Sequence, residues 1–451
     1  MHLDSADRNF PPDFEWGVAT AAFQIEGAVG VDGRGESIWD RFSHTPGRII
    51  TGDNADVACD HYHRWPEDIA LMRELGVTAY RFSIAWPRVI PRGRGTVNEA
   101  GLDFYSRLVD ALLASGIAPY ATLYHWDLPQ VLEDAGGWPN RDTAYAFADY
   151  AGTVADRLGD RVAGWFTINE PWCVSELGYG SGDHAPGRSD PDDALAAGHH
   201  VLLAHGLGLQ AVRAANPTAR VGIVINVDAV VPRSSHPADL DAAEQIHALR
   251  NRWYLDPVLL GKYPDSGVAL RRWNRECVLP GDMDIISHPM DHLGINYYSR
   301  TMAHDSAIRD WERPAPIVEP DRPRTTMGWE VYPEGLHDVL VRFHNDYDLP
   351  EVFISENGVA FPDHLVAGAI HDDDRRSFLS DHFAAAAAAL SAGVPLRGYF
   401  VWSLLDNFEW QHGFSQRFGL VWTDYETQER VIKESGRWFA EHIRLWREAR
   451  S

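Results

Sequence analysis

Cysteine is scarce: the 451 residues hold three, Cys59, Cys173 and Cys277. An odd number without Cys-x-x-Cys spacing argues against a disulfide framework and against zinc, and makes a reducing cytoplasm the expected compartment. Positive charge is also short, with 40 Lys and Arg against 65 Asp and Glu for a net charge of -25. Nucleic acid and anionic membrane both require basic surface, so neither is an expected partner. Lysine is almost missing; Lys262 and Lys433 stand alone, which suggests codon bias rather than function. No run of about 18 apolar residues exists, so no transmembrane helix is expected. The opening MHLDSADRNFPPDF lacks the basic and then apolar regions of a secretory signal. No low-complexity linker divides the chain, and a single domain over 1–451 is expected.

What is present is repeated. RELGVTAYRFSI (73–84), LASGIAPYATLY (113–124) and LSAGVPLRGYFVW (390–402) each show a helix end, a glycine and an apolar run. Glycine just past a helix suits the left-handed position there, and the apolar run fits a parallel strand buried on both faces. Helical periodicity precedes them: Leu102, Tyr105, Leu108, Val109, Leu112 and Leu113 fall on one predicted face. Pro66 stands near a predicted helix start, with Ile69, Met72 and Leu75 following at helical spacing.

Candidate strands occupy 14–20, 78–84, 117–123, 164–169, 220–226, 292–298, 351–357 and 397–403. Eight strands alternating with helices predict an α/β fold, a single-domain (β/α)8 TIM barrel. A doubly wound open sheet is the second choice, but no GxGxxG or GxxxxGK[ST] motif follows any strand. Long stretches at 21–63, 171–192, 299–333 and 404–430 follow strands one, four, six and eight and read as irregular. In a barrel these loops rise from the catalytic face and form a deep active-site pocket.

The residues at the predicted strand exits are carboxylates, amides and indoles. They include Gln24, His125, Trp126, Asn169, Glu170, Asn296, Tyr298, Glu356, Trp402, Glu409 and Trp410, with Arg81 inside strand two. Indole faces and amide or carboxylate groups suit a sugar, which offers C–H faces to stack on and hydroxyls to bond. Cleavage of a glycosidic bond requires two carboxyl groups, one to protonate the leaving oxygen and one to attack or stabilise the anomeric carbon.

TINEP (167–171) and ISENG (354–358) resemble the two active-site signatures of the family 1 glycoside hydrolases, the β-glucosidase family. FEWGVATAAFQIEGA (14–28), YRFSIAWPRV (80–89), LYHWDLPQ (123–130), GINYYSR (294–300), MGWEVYPEGL (327–336) and WSLLDNFEW (402–410) resemble further family blocks, in the family's order. The resemblance covers nearly the whole chain. It implies a retaining, exo-acting β-glycosidase that needs no cofactor or metal and takes a small β-glycoside as substrate, β-glucosides first. A homo-oligomer is left open.

Residue by residue, the resemblance makes Glu170 the general acid and then base, and Glu356 the nucleophile. Arg81 and Tyr298 match partners that keep the nucleophile ionised, with Asn169 and Asn296 in support. Gln24, His125, Trp126, Asn169, Glu409, Trp410 and Phe418 match sugar-binding positions, and Trp402 the stacking platform. Trp172, Leu177 and Trp329 fall on the aglycone side. Ser355 stands where threonine is commoner in the family, and its hydroxyl is expected to suffice. Gln411 and His412 replace a small residue and an acid and are expected to alter only the pocket rim.

Other functions fit less well. A 6-phospho-β-glycosidase places Ser, Lys and Tyr where this chain has Glu409, Gln416 and Phe418; Glu409 would repel a phosphate. A non-catalytic sugar-binding barrel would lack one carboxylate, and plant-type thioglucoside hydrolases replace the acid with glutamine. A metal-dependent barrel hydrolase needs a ligand cluster that the chain does not show. His61 and His63 alternate as ligands sometimes do, but without a third they read as packing or capping residues. His199, His200 and His205 read as buried helix-face residues. Asp372–Asp374 reads as a solvated helix start.

Overall fold

The computed structural model describes residues 10–304 and 322–450. Residues 305–321, part of the long stretch expected after strand six, lie outside these, as does most of the opening segment. Eight parallel strands close into a barrel: β1 (Glu15–Ala19), β2 (Ala79–Ser83), β3 (Ala118–Tyr124), β4 (Gly164–Asn169), β5 (Val221–Pro232), β6 (His292–Ala303), β7 (Glu351–Asn357) and β8 (Leu396–Trp402). β1 pairs with both β2 and β8, which completes the ring and leaves no free edge. The principal helices between them are α1 (His61–Leu75), α2 (Glu99–Ala114), α3 (Asp142–Leu158), α4 (Pro191–Ala215), α5 (Pro237–His247), α6 (Pro333–Asp346), α7 (Asp373–Ser391) and α8 (Glu434–Glu448). Among the described residues no helix is long and apolar enough to cross a membrane.

The floor of the barrel is aromatic. Tyr120 lies 5.4 Å from Phe353 and 5.4 Å from Phe400, ring centre to ring centre, with Phe166 at 6.4 Å. Gly17 admits this plug, because a Cβ there would sit 2.4 Å from the Phe400 ring. Helices seal the outside by the faces their periodicity predicts. α2 buries Leu102, Tyr105, Leu108, Val109 and Leu112, each worth about 1.5–3 kcal/mol. Leu113 departs from expectation at 43% exposed; one helical step past Leu112 turns it off the buried face. Gly76, Gly116 and Gly393 adopt φ of 69°, 71° and 99° just past their helices, as expected of glycine there.

Three expectations need correction. β5 and β6 run on past residues 226 and 298, pairing Ala229 with Arg300 through to Pro232 with Ala303. That ribbon stands above the barrel rim, so it is not buried on both faces, and Asp228, Ser299 and Arg300 interrupt the apolar run that would have marked it. Three of the stretches read as irregular are not wholly so: 21–63 holds a capped helix at Ile38–His44, 171–192 begins as helix at Pro171 and widens into π-helical turns over Cys173–Ser181, and 404–430 holds a short strand, Val421–Thr423, paired with Arg430–Ile432. Asp372 is not solvated but buried, bonded to Arg375 and to the Ser435 amide at 2.8 Å, while Asp373 and Asp374 are exposed. The same buried network holds Lys433 between Asp363 (2.5 Å) and Asp406 (2.7 Å). It ties the segments after β7 and β8 to α7 and α8. Of the histidines, His61 pairs with Asp68 at 2.7 Å and His63 with Asp60 at 2.6 Å. His199, His200 and His205 are buried on α4, as expected.

Candidate active site

β4 ends in the site. Gly164–Asn169 is fully buried, and Glu170 then takes a left-handed backbone with φ of 52°. Pro171 offers no N–H, so sheet pairing stops and the chain turns into helix. Trp126 after β3 (φ 80°) and Trp410 after β8 (φ 49°) share this conformation, which is uncommon for bulky residues. Three costly backbone turns around one cavity mark a site where side-chain direction is tightly held.

The cavity holds about 490 Å³ at the open end of the barrel. Its wall includes Glu170, Glu356, Asn296, Tyr298, His125, Trp126, Trp402, Glu409, Trp410 and Phe418, with Trp172, Leu177 and Trp329. Gln24, Arg81 and Asn169 stand behind that wall rather than on it. Gln24 is fully buried and its amide donates to the Phe408 carbonyl (2.9 Å), the Asn407 amide oxygen (2.9 Å) and Glu409 (3.4 Å).

Arg81 organises the polar layer. Its guanidinium donates to Glu356 Oε1 (2.6 Å), Asn169 Oδ1 (2.6 Å), Thr122 Oγ1 (3.0 Å) and the Ser355 carbonyl (3.2 Å). Tyr298 donates to Glu356 Oε2 at 2.7 Å. Asn296 donates to Glu170 Oε1 at 2.7 Å and accepts from Ser355 Oγ at 2.7 Å, so the retained hydroxyl fixes the amide that holds the second carboxyl. Asn169 Nδ2 donates to His125 Nε2 at 3.1 Å, keeping a second N–H in reserve. His125 then carries its proton on Nδ1, and burial together with Arg81 drives its proton affinity well down, so the ring is neutral.

The two glutamates occupy unlike surroundings. Burial, then the charge of Glu356, raises Glu170 from 4.5 to about 7, against the pull of Cys173, Asn296 and Arg81. Burial also raises Glu356, but the Arg81 ion pair and the Tyr298 hydroxyl oppose it. Glu356 is therefore the member of the pair that ionises first. Burial and the two other carboxylates push Glu409 up to about 8.

The aromatic wall is continuous. Trp126 and Trp410 lie 4.4 Å apart, and His125 stacks on Trp402 at 5.7 Å. Opposite, Tyr298, Trp329 and Phe418 contact one another at 5.4–6.2 Å. Gln411 and His412, the two departures from the family pattern, also line the cavity. Gln416 accepts from Thr326 at 2.5 Å and is not part of the wall. Sequence reasoning missed the outer end: His184, Asn226, Asp228, Arg250, Arg300, Arg324 and Glu330 also line the cavity. Several come from the β5–β6 ribbon, whose length was the missing signal. Cys173, in contact with Glu170, was also passed over.

The sequence model of glycosyl hydrolase family 1 matches residues 6–447. Beta-glucosidase A of Acetivibrio thermocellus is 48% identical over 439 residues, covering 96% of this chain and 98% of that protein. The crystal structure of psychrophilic beta-glucosidase BglU from Micrococcus antarcticus superposes with a TM-score of 0.94 at 47% identity, covering 99% of this chain and 100% of that one. The beta-glucosidase from Thermotoga maritima in complex with glucoimidazole superposes with a TM-score of 0.93 at 45% identity, covering 97% and 99%.

Proposed function

The chain belongs to glycosyl hydrolase family 1, and on that premise we propose which of its residues carry the reaction. The enzyme is a retaining β-glycosidase, a β-glucosidase that releases terminal β-D-glucosyl residues. The roles follow from one observation: two buried carboxyls face one cavity, Glu356 paired with the Arg81 cation and Glu170 held by the neutral Asn296 amide.

Glu356, ionised beside Arg81, attacks the anomeric carbon while Glu170 delivers its proton to the departing oxygen. The alcohol leaves and a glycosyl ester on Glu356 remains. Esterification removes the Glu356 charge, so the proton affinity of Glu170 falls and its carboxylate can take a proton from water. That water attacks the anomeric carbon, frees Glu356 and restores the acid. Both displacements invert, so configuration is retained. Tyr298 steadies the Glu356 carboxylate before attack and its leaving oxygen afterwards.

Glu409, His125 and Trp410 hold the sugar's hydroxyls, with Gln24 behind them fixing Glu409. Trp126, whose N–H is held by the Asn169 carbonyl at 2.9 Å, supports them with its ring, and Trp402 and Phe418 meet the sugar's faces. The spare N–H of Asn169 meets the 2-hydroxyl, a bond that strengthens in the oxocarbenium-like transition state. Trp172, Leu177 and Trp329 receive the aglycone. Further out, we place the enzyme in the cytoplasm, acting on short oligosaccharides from cellulose breakdown, as one hydrolase domain; cysteine usage and a sugar-sized cavity at the barrel mouth support this. A Glu170→Ala variant supplied with azide tests the roles. It should form β-glucosyl azide from an activated aryl glucoside. Failure of azide to restore turnover, with protein folded, would overturn the assignment of Glu170.

A further inference from the structure

Glu170 has two oxygens, and their surroundings are not equivalent. Oε1 accepts from Asn296 Nδ2 at 2.7 Å. The Asn296 amide cannot reverse its role, because its own oxygen accepts from Ser355 Oγ at 2.7 Å and its nitrogen also faces Asn169 Oδ1 at 3.2 Å. Oε1 therefore meets a donor in every protonation state, and a proton on it would oppose that N–H. The proton of the neutral acid belongs on Oε2. Oε2 lies 3.0 Å from Cys173 Sγ.

Local backbone makes this contact. Glu170 is left-handed, and the Val174 amide bonds back to its carbonyl at 3.2 Å, so the first helical turn folds Cys173 over the Glu170 side chain. Cys173 is buried and lines the cavity. We propose that Cys173 is a positioning residue: its thiol holds Oε2 of Glu170, and Oε2 is the oxygen that carries the transferred proton. A thiol can donate weakly to a carboxylate and accept weakly from an acid, so one side chain follows Glu170 through both halves of the cycle. Donation favours the charged form and offsets part of the burial that opposes it. The other charged or titratable groups facing the pair are Glu356, Glu409 and the neutral Tyr298 across the cavity and Arg81 behind its wall, with Arg250 toward the thiol. Substitution of Cys173 leaves all of these in place.

The inference rests on Glu170 being the acid, and the experiment separates the two. The pH dependence of kcat/KM is measured on cellobiose, whose leaving group needs the proton, for wild type, Cys173→Ala and Cys173→Ser. The alanine variant should move the alkaline limb up by about half a pH unit with the acid limb fixed, and the serine variant should return it. Superposable limbs in all three, or serine moving with alanine, would overturn the inference. If azide rescue of Glu170→Ala succeeds while the limbs coincide, only the role of Cys173 fails. Should the alanine variant not fold, infrared spectra of wild type against Cys173→Ser give the same decision. The S–H band must shift as Glu170 titrates, and a band constant through that range would contradict the contact.

Discussion

Replacing Glu356 by glutamine should make Glu170 a stronger acid, and by an amount the site specifies. Glu170 stands at about 7 against 4.5 for an ordinary glutamate, a difference worth roughly 3 kcal/mol. Burial is the larger cause and the Glu356 charge the second. Glu356→Gln leaves burial unchanged and removes the charge. Arg81, deprived of its partner at 2.6 Å, then acts on Glu170 in the same direction. The titration of Glu170 should fall by about one to two pH units. Carbon NMR of protein carrying carboxyl-labelled glutamate reads this directly, with Glu170→Gln identifying the resonance. The variant also imitates the charge state of the glycosyl ester, so the fall measures how the acid becomes a base. Titration at about 7 or higher in Glu356→Gln would refute the claim that the two carboxyls are electrostatically linked.

Tyr298→Phe removes one hydrogen bond to the charged nucleophile and should lower kcat/KM about 10- to 100-fold, the effect of roughly 1.5–3 kcal/mol; unchanged kinetics would exclude that contact from the reaction. Lys433→Met leaves Asp363 and Asp406 buried without their shared cation and should cost about 3–5 kcal/mol in denaturant unfolding, and a shift below about 1 kcal/mol would contradict a closed network there. Glu170→Gln should stabilise the fold more at alkaline than at acid pH. The wild-type carboxyl binds its proton more tightly folded than unfolded, so its contribution is fully present below about 4.5 and is lost as pH rises through about 7. Melting temperatures of the pair at both extremes check the sign, and a gap that narrows as pH rises would reverse it.

The parts of the fold that stood out in the sequence are those where one environment acts along a whole segment. β4 and β7 are buried throughout or nearly so, and each carries its apolar residues (Trp165, Phe166 and Ile168; Val352, Phe353 and Ile354) in the middle of the strand, just before the polar exit. β5 and β6 are buried throughout at their lower ends, whereas the ribbon above the rim is mostly half-exposed, with buried residues only at Val227, Ala229 and Ala303, and so carries no continuous apolar run. Glu170 and Glu356 were legible because each ends an apolar strand with a carboxylate, an arrangement without a packing explanation. Asp372 shows the converse limit. Three consecutive aspartates look alike, and only the tertiary approach of Ser435 and Arg375 separates the buried one from the exposed pair. Cys173 was invisible for a related reason, since its meaning depends on the left-handed turn at Glu170 and on which oxygen Asn296 occupies.

Trapping the covalent intermediate tests the central claim most directly. Incubation with a 2-deoxy-2-fluoro-β-glucosyl fluoride, digestion and peptide mass spectrometry should place one fluoroglucosyl group on Glu356, in the peptide containing ISENG. Label on Glu170, on Glu409 or on any other residue, or inactivation without label, would contradict the division of labour between the two carboxyls.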